Sequence, residues 1–119
     1  MLFRKSKYDR KSYMNSFKIG DLEVKIPVVQ GGMGVGISLS GLASAVANEG
    51  GIGVVSAVGV GLFEPDYAKN FLGAHLRATR KEIRKARELT DGILGINAMV
   101  ASVPKAVIVG YIPFDVTVL

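Results

Sequence analysis

Three short β-branched runs, Val28 to Gln30, Ile52 to Ala57 and Ile93 to Val100, are separated by two stretches with apolar residues at helical spacing. This alternation constrains the fold more than any other feature. In the first intervening stretch Leu39, Leu42, Ala43, Val46 and Ala47 fall at i, i+3, i+4, i+7 and i+8, Ser38 or Ser40 stands where a helix cap is expected, and Gly50-Gly51 ends the pattern. In the second, Ala74 to Leu89, the residues Leu76, Ile83 and Ala86 face inward, while Arg80, Lys81, Arg84, Lys85 and Glu88 form a solvated outer face before Gly92. Strands joined through helices pair in parallel, and continuous apolar runs bounded by glycine are expected to be buried. The class is therefore α/β. Ahead of this unit, Phe17 to Ile19 and Leu22 to Val24 flank Gly20-Asp21 as a short β-hairpin. After Ala101 the alternation stops: Ala106 to Ile112 is another β-like run, but Pro104 and Pro113 flank it and no helix separates it from the third strand.

The 119 residues, 49% of them apolar, suffice for one domain with a real core. There is no cysteine, which excludes a disulfide framework, a thiolate metal site and a cysteine nucleophile. No uninterrupted apolar run reaches membrane-spanning length, and the basic N-terminus lacks the apolar stretch of a secretory signal, so a cytoplasmic protein without a membrane partner is expected. Arg4, Lys5, Lys7, Arg10 and Lys11 against Asp9 give the first thirteen residues +4 of the net +5. The body is thus nearly neutral, and a nucleic-acid partner is not expected. Residues 1–13 are read as a basic, disordered extension, 14–101 as the structured unit and 102–119 as an atypical C-terminal segment. Met14 is a second candidate for the initiating residue.

The chemistry-bearing stretch is Gln30-Gly31-Gly32-Met33-Gly34-Val35-Gly36, between a strand and a helix, where α/β proteins bind anionic or flat cofactors. The dinucleotide fingerprint G-x-G-x-x-G fails, because the third glycine would be Ile37 or Leu39, and a P-loop lacks its Gly-Lys-Ser/Thr. What remains is a glycine turn carrying Met33, whose polarizable thioether can pack on an aromatic ring or, equally, fill a strand-to-helix corner.

Three segments in order decide more than the turn alone. Ile26-Pro27-Val28-Val29-Gln30-Gly31-Gly32-Met33, then Leu42 to Ala57 with Asn48-Glu49-Gly50-Gly51-Ile52-Gly53-Val54-Val55, then Gly95-Ile96-Asn97-Ala98-Met99-Val100, together resemble the opening of the nitronate monooxygenase (2-nitropropane dioxygenase) family. The resemblance covers about Ile19 to Ala101, roughly the first third of a member. It implies the first βα units of a TIM barrel, (β/α)₈, a fold of about 250 residues that this length does not close. It further implies FMN as cofactor, with Gly31, Gly32 and Met33 along the flavin ring and Asn97 making a polar contact from the end of the third strand. Barrel chemistry does sit at the C-terminal strand ends. A side chain satisfying local backbone groups is the other reading of Asn97, and Gln30 is open between a structural role and a ligand contact.

The implied reaction is oxidation of an alkyl nitronate by O₂ to a carbonyl compound and nitrite, the flavin performing the redox chemistry. The family's catalytic histidine and phosphate-binding loops lie downstream of these segments, so no catalytic residue and no metal ligand is expected here. His75 is read as a surface or capping residue. Flavin-dependent enoyl-ACP reductases and IMP dehydrogenase barrels open with similar turns and stand as alternatives. A non-enzymatic α/β fragment is the reading from another class; unpaired strand edges would make it self-associate.

Overall fold

A computed structural model describes residues 15–99 and 117–118. The elements are β1 (Phe17–Ile19), β2 (Leu22–Val24), α1 (Ser40–Asn48), β3 (Gly53–Ser56), a 3₁₀ turn (Val60–Phe63), α2 (Phe71–Leu89), β4 (Leu94–Asn97) and β5 (Thr117–Val118). β1 and β2 pair antiparallel about Gly20, whose φ of 57° suits a residue without Cβ. β3, β4 and β5 form a parallel sheet in that order, and Val29 adds a parallel bridge to Ile52 on the far side of β3. Among the described residues the sheet remains open, so the structure is mixed α/β without a closed barrel.

The strand period of two sorts the core. Ile52 and Val54 pack with Val24, and Phe17, Ile19 and Ile93 close over them, so the hairpin covers one face of the sheet. Val55 and Leu94 point the other way, onto Ala43, Ala47 and Ala86 of the two helices. Ile96 meets Ala57 and Ile83. The small helical residues permit a close layer: a Cβ on Gly53 would collide with the Ala43 carbonyl.

Several expectations need correction. Val28 and Val29 are 44% and 50% exposed rather than buried, because this strand has only β3 beside it among the described residues. The buried face of α1 is Ser40, Ala43, Ser44 and Ala47, while Leu42 is exposed. Close approach favours the small side chains, and the Ser44 hydroxyl donates to Ser40 O at 2.6 Å within the helix. α2 begins at Phe71, three residues early, since Asn70 caps it by accepting from Gly73 N. Leu76 is only half-buried, and His75 and Thr79 lie inside. The run at Ala106 to Ile112 and the extension 1–13 lie outside the described residues.

Candidate functional site at the strand ends

The glycine turn begins with a substitution of side chain for backbone. Gln30 N donates to Ile52 O and Ile52 N donates to Val28 O, an ordinary parallel ladder. One step further, the Gln30 side chain takes over: Val54 N donates to Oε1 at 3.2 Å, and Nε2 donates to Val54 O at 3.1 Å. The amide satisfies β3 while the main chain leaves the sheet. Gln30 therefore has a structural role, one of the two open readings.

The departing chain folds back onto Ser38. Its fully buried hydroxyl accepts from Gln30 Nε2 at 2.8 Å and from Met33 N at 3.1 Å, and donates to Gly31 O at 3.1 Å. Its backbone N–H donates to Met33 O at 2.9 Å, and its carbonyl accepts from Ser56 N at 2.8 Å. The expected capping role of Ser38 or Ser40 is thus overturned. Leu39 occupies the cap position without a side-chain bond, and a Glu82 carboxyl oxygen from α2 accepts from Ser40 N at 2.9 Å. A serine between a glycine turn and a helix reads as a cap in sequence, and nothing local points to Glu82, forty-two residues on.

Of the residues expected to form the site, Gly32 and Asn97 meet. Asn97 ends β4 and is the register partner of Ser56, which ends β3. Its side chain lies so near Gly32 that a Cβ there would overlap it, with Oδ1 at 2.7 Å. Gly31 instead faces open space, with no atom within 4 Å of where its Cβ would stand. Met33 is 43% exposed beside it. The rest of the turn rests on the segment after β3. Gly34 sits over Val58, Val35 against Gly59, and the Phe63 ring reaches within 3.1 Å of the Cβ position of Gly36. The result is a ledge at the C-terminal strand ends made of bare backbone, exposed Met33 and Val35, and the Asn97 amide.

His75 belongs elsewhere. It is buried inside α2, where Asn70 is the cap, contrary to its reading as a surface or capping residue, with Nδ1 3.1 Å from Phe71 O and its ring against Tyr67 and Phe71. Aromatic packing on both sides of the first α2 turn draws it in. Among the described residues no cluster of three or more His, Asp or Glu is arranged to hold a metal, and no helix is long and apolar enough to cross a membrane.

With this geometry in place, comparison with protein families is decisive: the family model for nitronate monooxygenase matches residues 15–107. The chain belongs to the nitronate monooxygenase family. The match covers the hairpin, the glycine turn, both helices and β4, as part of the family's domain. A comparison with curated proteins returned no match. The Gly32–Asn97 contact, at the C-terminal end of β4, lies within the matched span.

Proposed function

We propose that this chain supplies the flavin-ring wall of an FMN-dependent oxidoreductase that oxidises alkyl nitronates to carbonyl compounds and nitrite with O₂. The observation that carries the reading is the meeting of Gly32 and Asn97 beside open Gly31 and exposed Met33. These residues fit the group: a flat ring can lie on a backbone without Cβ atoms, against a thioether, with one amide at its edge. Gly31, Gly32 and Met33 would hold the face of the ring and Asn97 would fix its orientation. FMN, when bound, supplies the electron transfer; the chain's own part is to orient the ring and shield one face from water.

The test is FMN titration of the purified chain, followed by absorbance between roughly 350 and 500 nm, a window set by the flavin itself. Saturable binding near one FMN per chain is expected, weakened in Gly31→Ala because its new Cβ enters the space assigned to the ring. A chain that binds no FMN overturns the reading and leaves the non-enzymatic fragment. Where FMN binds, nitronate consumption against NADH-dependent reduction of an enoyl thioester separates the proposed reaction from its nearest alternative.

A further inference from the structure

We infer that Ser38 is the positioning residue of the glycine turn, acting through Met33 and Gln30 to fix the surface on which a flavin ring would lie; its role toward the flavin rests on the reading above. A hydroxyl has one proton to donate and two lone pairs to accept with, and here all are used, on Gly31 O, Met33 N and Gln30 Nε2. The three partners are the residue that leaves the sheet, the first glycine of the turn and the methionine at its tip. Backbone bonds from the same residue reach Met33 O and Ser56 N, so the turn is also tied to the end of β3. Ser38 has no exposed surface, and water cannot replace the hydroxyl without rearrangement. Glycines at 31, 32, 34 and 36 leave the turn few side chains to hold its shape. One buried oxygen makes up for them.

Ser38→Ala tests this, since it deletes the oxygen without adding bulk. Ser44→Ala is the control, another buried serine whose hydroxyl donates to Ser40 O and Gly41 O inside α1. Amide exchange by NMR and FMN titration are read on the parent and both variants. In Ser38→Ala the Met33 amide should exchange at least about tenfold faster while the amides of β3 and β4 keep their protection, and FMN affinity should fall about tenfold or more. The absorbance band of bound flavin should shift, as its surroundings loosen. Ser44→Ala should match the parent in all three readouts at the turn. Equal Met33 exchange in Ser38→Ala and the parent overturns the inference. So does unchanged FMN affinity. A parent that binds no FMN overturns the flavin reading and Ser38's role toward it, while the exchange data still decide whether Ser38 holds the turn.

Discussion

Gly32→Ala probes the contact on which the candidate site depends. The new Cβ would stand 2.7 Å from Asn97 Oδ1 and closer still to its Cβ and Cγ, whereas ordinary contact begins at 3.4 Å, so something must move by about 1 Å. Gly32 does not occupy the left-handed region, so the effect is steric. Overpacking of this kind costs about 1–3 kcal/mol, offset by about 0.5 kcal/mol from the stiffer unfolded chain. A net loss of about 1–2 kcal/mol is expected. Asn97→Gly removes all three colliding atoms, at about 1 kcal/mol for a glycine in a strand. In that background Gly32→Ala should be nearly neutral, giving a coupling energy of about 1–2 kcal/mol. Gly31→Ala is an internal control, since its Cβ meets nothing. The chain has no Trp, so urea unfolding is best followed by far-ultraviolet circular dichroism of the two helices. A neutral Gly32→Ala, or the same loss with and without the Asn97 side chain, would refute the contact.

Three further substitutions follow from the packing. Among the described residues Thr79 Oγ1 is buried without a hydrogen-bond partner, so Thr79→Val should stabilise the fold by about 1 kcal/mol in urea unfolding. Glu82→Ala removes the acceptor for Ser40 N and should destabilise by about 1 kcal/mol, with fraying of the first α1 turn visible in amide exchange. The exposed strand at Val28 and Val29 should promote association, so the mass seen by light scattering is expected to rise with concentration and Val29→Lys to reduce that rise.

Periodicity and punctuation carry local information, and the elements they govern were legible. The hairpin about Gly20-Asp21, the β3 and β4 strands and the existence of both helices agree with the residue pattern. Non-local decisions were not legible. Leu42 carries the helical period yet faces outward, because α1 approaches β3 through its serines and alanines. His75 stands at the start of what reads as a charged helix, yet Tyr67 and Phe71 pack against it. The site divides in the same way. Gly31 to Met33 and Asn97 stand out by residue type and by family resemblance, and the fold brings Gly32 and Asn97 together from opposite ends of the unit. Ser38 stood out only as a helix cap, since its actual role depends on three partners that only the folded turn assembles.

The start of α1 beside this turn is not arranged as a phosphate cradle. Anion sites at strand-to-helix turns need free, converging N–H groups and the positive end of a helix. Here Met33 N donates to Ser38 Oγ, Ser38 N to Met33 O, Leu39 N to Ile37 O and Ser40 N to the Glu82 carboxyl group. At the start of α1 these donors are used internally, and an acidic side chain stands there, where a second anion would be repelled. What the turn presents at the strand ends is the open Gly31 backbone, the exposed Met33 thioether and, at one edge, the Asn97 amide. The missing G-x-G-x-x-G spacing fits this helix start, and on the proposed reading the turn would receive the ring of the cofactor while its phosphate would be held elsewhere.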